Sequence, residues 1–194
     1  HSIRRRQRQM CIRDRHTKGI GKAFASLPHV KDNFVGFSRG NGYNIKEVED
    51  RRKIIREAID CDVFINNAYQ LYYQTDMLYE LHKKWQKDST KIIINIGSNT
   101  TDGIKSFPHV YTAHKASLET ASIQLNNANL CKVVLLKFGW VGTEKILTYM
   151  KPTTYIPVDE CAEIINQAVE WAHKYRVTTM TILPEADMKR YDTK

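Results

Sequence analysis

A tyrosine and a lysine four positions apart are the residues of this chain whose types and spacing first suggest chemistry. Tyr111 and Lys115 lie in a stretch that predicts a helix, so their side chains point from one face and can share a site. A free tyrosine titrates near pKa ~10, and an adjacent ammonium lowers that pKa by favouring the phenolate. The spacing therefore predicts an acid/base pair.

The same spacing occurs at Tyr79 and Lys83, so spacing alone does not identify a site. Context separates the two pairs. Ser98 ends a continuous apolar run shortly before Tyr111, and catalytic groups collect at the carboxyl ends of buried strands in parallel sheets. We therefore predict that Ser98, Tyr111 and Lys115 form one site, and that Tyr79 and Lys83 are surface residues.

The elements that must position these residues follow from the alternation of short apolar runs with longer amphipathic stretches. Strands are predicted at 33–37, 62–67, 91–96, 132–138 and 178–183, and helices at 47–59, 71–86, 110–127 and 158–173. This alternation is typical of βαβ units around a parallel sheet. We predict one α/β domain with a Rossmann-like, doubly wound parallel sheet, in which ligands bind at the carboxyl ends of the strands.

Composition is that of an ordinary globular domain, with 194 residues, 42% hydrophobic and 26% charged. No apolar run approaches the ~18 residues that suggest a membrane span. The four cysteines are scattered without CxxC spacing, and we interpret them as free thiols of a cytoplasmic protein. They are Cys11, Cys61, Cys131 and Cys161. No metal site is expected.

The formal charge of +9 raises the question of nucleic-acid binding, because basic patches bind phosphate backbones. Much of this charge lies in residues 1–15, which hold six arginines and one aspartate. We interpret residues 1–15 as an atypical, solvated basic segment foreign to the native protein, and residues 16–194 as the domain. Nucleic acid is therefore not an expected partner.

Five short motifs follow one another along the chain. They are GIG at 19–21, NNA at 66–68, GS at 97–98, YTAHK at 111–115 and FGWVGT at 138–143. In this order they resemble the TGxxxGIG, NNAG, serine, YxxxK and PGxVxT motifs of the short-chain dehydrogenase/reductase family. The resemblance extends from Lys18 to Leu183.

The resemblance implies a nicotinamide cofactor and the interconversion of a small-molecule carbonyl and alcohol. Tyr111 would be the acid/base, Ser98 would polarise the substrate oxygen, and Lys115 would assist. The cofactor-binding residues that the resemblance implies are Lys18, Gly19, Ile20, Ser38, Arg39, Asn44, Asn66, Ala68, Tyr111, Lys115, Val141 and Thr143. It also implies a homodimer or homotetramer built on the helices that carry Met77, Leu81, Trp85 and Tyr111.

The choice of cofactor rests on two cations. Arg39 follows the strand 33–37 at the place where NAD-preferring members carry an acidic residue, and an arginine can clamp a 2′-phosphate. Lys18, directly before Gly19, adds a second positive charge without a competing carboxylate. We therefore expect NADP(H) in preference to NAD(H).

Several positions depart from the family pattern. Asp14 and Arg15 stand where the glycine-rich turn begins Thr-Gly, and Tyr69 stands where NNAG has its glycine. Between Arg39 and Asn44 there is room only for a turn, so the helix after the second strand is expected to be missing.

The asparagine of the family's catalytic tetrad has no match, and Gln70 and Gln74 are the nearest polar residues. The loop 144–156 is expected to cover the substrate.

The departures from the family pattern leave two alternative functions open. One is a dinucleotide-binding relative that senses or scaffolds without turnover, and the other is an epimerase or dehydratase using the same YxxxK chemistry.

Overall fold

The computed structural model describes residues 10–13, 18–103, 109–128 and 130–185. The strands are β1 (Met10–Arg13), β2 (Phe34–Phe37), β3 (Val63–Asn66), β4 (Ile92–Ser98), β5 (Lys132–Phe138) and β6 (Thr179–Ile182). The α-helices are α1 (Gly19–Ala25), α2 (Val48–Ala58), α3 (Tyr73–Trp85), α4 (Val110–Ala128), α5 (Glu144–Tyr149) and α6 (Val158–Lys174).

The described strands form one parallel sheet in the order β2-β1-β3-β4-β5-β6. The chain winds outward from β1 in both directions, so the connections diverge between β1 and β3 and leave a crevice at the carboxyl ends of the strands. Helices α1 and α6 pack on one face of the sheet, and α2, α3 and α4 contribute to the apolar cluster on the other. The expected Rossmann-like α/β fold is confirmed.

Strand β1 lies inside the basic segment that the sequence analysis set apart. It pairs with both neighbours, and Cys11 stands opposite Val35 on one side and Phe64 on the other. The sheet of the domain thus includes four residues of the segment 1–15. Residues 14 and 15, where the glycine-rich turn departs from the family pattern, lie outside the described residues.

The strands that carry the site are buried on both faces because their sequences are apolar throughout. Ile92, Ile93 and Ile94 of β4 are fully buried, as are Val133 to Leu136 of β5. Such continuous apolar runs are typical of central strands in parallel sheets. The last residue of β4 is Ser98, so the sheet itself fixes where this serine emerges.

Between Arg39 and Asn44, before α2 begins at Val48, the chain forms a turn and no long helix, as expected. One turn of 3₁₀-helix spans Arg39–Asn41 and is closed by reciprocal capping between Ser38 and Asn41. The Ser38 backbone N–H donates to Asn41 Oδ1 at 2.6 Å, and the Asn41 side-chain amide donates to the Gly36 carbonyl at 2.7 Å. This turn holds Arg39 at the carboxyl end of β2.

The cysteines differ in part from the expectation. Cys131 and Cys161 are free and buried, but Cys61 is disulfide-bonded, so the expectation of a free thiol there is wrong. The side chain of Cys11 lies outside the described part of the chain. Disulfides join residues that the fold brings together, and scattered spacing in the sequence does not exclude them.

Among the described residues, no helix is long and apolar enough to cross a membrane.

Candidate active site

Ser98, Tyr111 and Lys115 come together at the carboxyl end of β4. Tyr111 lies in the first turn of α4 and Lys115 lies one turn further on the same face. The Ser98 hydroxyl lies close enough to the Tyr111 phenol to lower its pKa, and Ser98 Oγ accepts from the Thr100 backbone N–H at 3.3 Å. The Lys115 Nζ lies 5.8 Å from the centre of the Tyr111 ring. The three side chains therefore share one site.

The Lys115 ammonium is buried and held by the protein interior. It donates to Gln74 Oε1 at 2.9 Å and to the Ile96 carbonyl oxygen at 2.8 Å. Gln74 is buried as well, and its Nε2 donates to the carbonyl oxygens of Asn66 at 2.7 Å and Ile96 at 3.2 Å. Of the two glutamines that stood nearest to the missing asparagine, Gln74 is the one that contacts Lys115.

Burial dominates the electrostatics of the pair. It lowers the pKa of Lys115 from its usual 10.5 to about 7, because the interior disfavours the ammonium. Burial also raises the pKa of Tyr111, which outweighs the lowering effect of the Ser98 hydrogen bond, and Tyr69 adds to the rise. The expectation that Lys115 lowers the pKa of Tyr111 is therefore not met. Lys115 is not among the groups that shift this pKa, and its ammonium donates to Gln74 and the Ile96 carbonyl.

A groove of about 680 Å³ runs along the carboxyl ends of the strands beside this site. Half of the twelve residues that the sequence assigned to the cofactor line it. These are Lys18, Gly19, Ile20, Ser38, Arg39 and Thr143. The groove also takes in residues that the sequence did not assign, namely Gly40, Asn67, Tyr69, Glu144, Lys145, Thr148 and Tyr149.

The wall of the groove fits a phosphate-bearing ligand. Gly19 has a left-handed φ of +54°, and a Cβ at this position would stand only 3.3 Å from Thr143 Cγ2, so a side chain there would crowd the wall. Lys18 and Arg39 are exposed on the same groove. Two cations beside a glycine backbone match the charge and the close approach that a dinucleotide phosphate requires.

Six residues assigned to the cofactor do not belong to the described lining of the groove. Two of them, Tyr111 and Lys115, form the site described above, and the other four lie elsewhere. The Asn66 side chain is fully buried and donates to Asn95 Oδ1 at 2.8 Å and to the Gln74 carbonyl at 3.0 Å. Ala68 and Val141 are buried in the apolar core. Asn44 belongs to a turn, where its Oδ1 accepts from the Lys46 backbone N–H at 3.2 Å.

The segment 144–156, expected to cover the substrate, begins with a short helix. The Thr143 carbonyl accepts from the Leu147 backbone N–H at 2.9 Å in the first turn of α5. One side of α5 faces the groove through Glu144, Lys145, Thr148 and Tyr149. These four residues were not predicted, because the whole segment was expected to be a loop. Their spacing, at one, two, five and six positions past Thr143, is typical of one helix face.

The second tyrosine–lysine pair is on the surface, as predicted. Tyr79 and Lys83 are exposed, and the Tyr79 hydroxyl donates to Gln124 Oε1 at 2.8 Å on the outside of the neighbouring helix. Neither residue is part of the groove lining that the described residues form.

Comparison with known proteins shows what fold this is. No protein-family model matches the chain, and no curated protein matches it by sequence. A solved short-chain dehydrogenase from Burkholderia cenocepacia J2315 in complex with NADP is similar, at a TM-score of 0.70 and 17% identity, over 94% of this chain and 91% of that one. A short-chain dehydrogenase from Sphingobium yanoikuyae in complex with NADPH has a TM-score of 0.70 at 13% identity, over 95% and 91% of the two chains.

A structure described as ribose-5-phosphate isomerase from Brucella melitensis 16M is similar as well. Its TM-score is 0.72 at 12% identity, over 90% of each chain. The chain thus has the fold of the short-chain dehydrogenase/reductase structures. Because identities this low establish the fold alone, the reaction has to be argued from the site.

Proposed function

We propose that this protein is an NADP(H)-dependent oxidoreductase that interconverts a small-molecule carbonyl and alcohol. The observation that carries the proposal is the meeting of Ser98, Tyr111 and Lys115 at the carboxyl end of β4, beside the groove. The fold agrees with it, since similar structures are named as dehydrogenases in complex with NADP or NADPH.

The preference for NADP(H) over NAD(H) is part of the proposal. Arg39 and Lys18 would hold the phosphates, and the 3₁₀ turn closed by Ser38 and Asn41 presents Arg39 at the end of β2. An arginine presents several N–H donors to a phosphate and keeps its charge at any physiological pH. Glu144 also lines the groove, but it belongs to α5 and not to the turn that carries Arg39.

In the reaction, the bound nicotinamide would supply or accept a hydride. The Tyr111 hydroxyl would donate the proton to the carbonyl oxygen during reduction, and the raised pKa of Tyr111 keeps it protonated for this step. The Ser98 hydroxyl, which lies beside the Tyr111 phenol, would donate to the same substrate oxygen. Lys115, held beside Tyr111 by Gln74 and the Ile96 carbonyl, would assist by contacting the bound cofactor.

A second candidate function is binding of the dinucleotide without turnover. It is favoured by the ring of Tyr69, which lines the groove and packs against Tyr111 with the ring centres 4.8 Å apart. If this ring stayed in place with cofactor bound, the acid/base tyrosine would be kept from a substrate.

We also propose that the protein forms a homo-oligomer through the outer side of α3 and α4, the two helices that the sequence suggested. Met77, Leu81 and Trp85 are buried within the chain and pack on the sheet. The outer side of α3 and α4 presents Tyr79 and Ile123, both exposed. Sedimentation as a dimer or tetramer at micromolar concentration is the expected result, and a monomer would contradict the proposal.

The proposed function is tested first by thermal unfolding with NADPH, with NADH and with neither. A ligand that binds the native state alone stabilises it by about 2.7 kcal/mol at a hundred times its dissociation constant. We expect NADPH to raise the melting temperature more than NADH does. No shift with either nucleotide would contradict cofactor binding. Binding without reduction of any compound in a broad carbonyl panel would favour the second candidate.

A further inference from the structure

Tyr69 stands between the groove and the acid/base site. Its ring lies edge-to-face against Tyr111, with the ring centres 4.8 Å apart at an interplanar angle of 68°. The Lys115 Nζ lies 5.5 Å from the centre of the same ring. Tyr69 also lines the groove, and 40% of its surface is exposed. One aromatic ring therefore touches the groove on one side and the proton-transfer pair on the other.

The position of this ring is fixed by α4 itself. The Tyr69 hydroxyl is hydrogen-bonded to His114 Nδ1 at 2.8 Å, and only 5% of His114 is exposed. The imidazole is held in turn by the Tyr72 ring, whose centre lies 4.3 Å away in an edge-to-face arrangement. His114 lies between Tyr111 and Lys115 along α4. The hydrogen bond from Tyr69 to His114 therefore keeps the Tyr69 ring against Tyr111 and Lys115.

The Tyr69 ring therefore separates the groove from the three residues of the acid/base site. Among the described residues that line the groove, Tyr69 is present, but Ser98, Tyr111 and Lys115 are absent. A planar group that entered the groove and moved toward Tyr111 would meet the Tyr69 ring first. The ring can leave only by giving up the hydrogen bond to His114 and the edge-to-face contact with Tyr111.

We propose that Tyr69, hydrogen-bonded to His114, is a gate between the groove and the Ser98–Tyr111–Lys115 site. Its ring swings aside to admit the nicotinamide end of the cofactor. The inference rests on the proposed function. Losing one hydrogen bond and one aromatic contact weakens binding by roughly ten- to thirtyfold, so removal of the gate should tighten cofactor binding by about that factor.

The first experiment measures the affinity of the full chain for NADP⁺ by calorimetry in Tyr69→Ala, Tyr69→Phe and a matched control, Tyr79→Phe. We expect Tyr69→Ala to bind about tenfold more tightly than the parent and Tyr69→Phe, which lacks only the bond to His114, by a smaller factor. Tyr79→Phe should match the parent. Weaker binding by Tyr69→Ala would overturn the gate, because the ring would then be a platform on which the cofactor stacks.

The second experiment needs no cofactor and therefore separates failure of the gate from failure of the proposed function. The Tyr111 phenol is titrated by NMR of ¹³Cζ-labelled tyrosine, with its resonance assigned by Tyr111→Phe. Removing the ring in Tyr69→Ala exposes Tyr111 and should lower its pKa, while its other neighbours Ser98, His109 and Lys115 stay in place. An unchanged pKa would overturn the gate, even if neither protein bound NADP⁺.

Tyr69→Phe keeps the experiment decisive if Tyr69→Ala fails to fold. The phenylalanine ring preserves the packing, so its melting temperature should stay close to that of the parent. Tighter NADP⁺ binding by Tyr69→Phe supports the tie to His114, and an affinity equal to that of the parent would show that the hydroxyl does not hold the gate closed.

Discussion

The Gln74 side-chain oxygen accepts a hydrogen bond from the Lys115 ammonium across 2.9 Å, beneath the site that holds Tyr111. The orientation of this amide is determined by its surroundings, since its nitrogen faces the carbonyl oxygens of Asn66 and Ile96. The flipped amide would set its oxygen against two acceptors. Gln74 therefore positions Lys115 through contacts that involve no ligand.

Replacing Gln74 by leucine should test this role. The leucine cannot accept from Lys115, which would keep only the Ile96 carbonyl as a partner, and burying an underbonded cation is costly. We expect a loss of about 1–3 kcal/mol in the free energy of unfolding, measured by urea denaturation. Gln124→Leu, at an exposed glutamine whose Oε1 accepts from the Tyr79 hydroxyl, should change stability by less than about 0.5 kcal/mol. Equal stabilities of Gln74→Leu and the parent would contradict the role.

The buried ammonium predicts how stability depends on pH. The pKa of Lys115 falls from its usual 10.5 to about 7 in the folded protein, so between these values the unfolded chain binds a proton that the native state lacks. The free energy of unfolding therefore rises with pH across this range. Below about pH 7 Lys115 is charged in both states, and the folded protein carries the full cost of burying that charge.

Lys115→Met removes this titration and keeps most of the side-chain volume. From pH 7 to pH 9, the parent should gain up to about 2 kcal/mol of unfolding free energy relative to Lys115→Met. Urea denaturation of both proteins at the two pH values measures the difference, in which the titrations of other groups cancel. A constant difference would mean that Lys115 titrates near its ordinary pKa in the folded protein.

The parts of the fold and site that the sequence predicted are those that local patterns determine. The apolar runs of β4 and β5 are readable because a strand buried on both faces must be apolar at every position. Ser98 was placed by the end of such a run, and Tyr111 with Lys115 by helical spacing. None of these inferences needs to know which segments meet in space.

The parts that escaped prediction depend on packing between distant segments. Tyr69 could be singled out as a departure from a glycine, but its contact with His114 joins two segments that only the sheet brings together. The raised pKa of Tyr111 follows from burial, which spacing does not reveal. The disulfide at Cys61 is likewise a tertiary feature.

Arg39 provides a test of cofactor preference. Arg39→Asp replaces a cation on the groove by a carboxylate, which would repel a 2′-phosphate and could accept from the two ribose hydroxyls of NADH. We expect the ratio of NADPH to NADH affinity, measured by calorimetry, to fall by at least about tenfold. Lys46→Asp makes the same change in charge at an exposed residue outside the groove lining and should leave the ratio unchanged. An unchanged ratio in Arg39→Asp would place the 2′-phosphate elsewhere.

Tyr111→Phe tests whether the protein is an enzyme, because it removes one hydroxyl and leaves the rest of the site in place. If that hydroxyl donates the proton, the rate of reduction of any accepted carbonyl should fall by at least roughly a hundredfold, the factor typical of losing a general acid. The affinity for NADPH should stay within about threefold of the parent, since Lys18, Gly19 and Arg39 remain.

Tyr79→Phe is the matched control for this prediction, because it removes the same hydroxyl from the tyrosine–lysine pair that lies on the surface. Its rate should equal that of the parent.

The pH dependence of the rate adds a further check. Burial raises the pKa of Tyr111, so the protonated form needed for reduction persists into the alkaline range. The loss of reduction rate caused by deprotonation of this phenol should therefore occur above pH ~10. A Tyr111→Phe protein with the full rate of the parent would remove Tyr111 from the reaction, whereas loss of activity in Tyr79→Phe would place the site on α3.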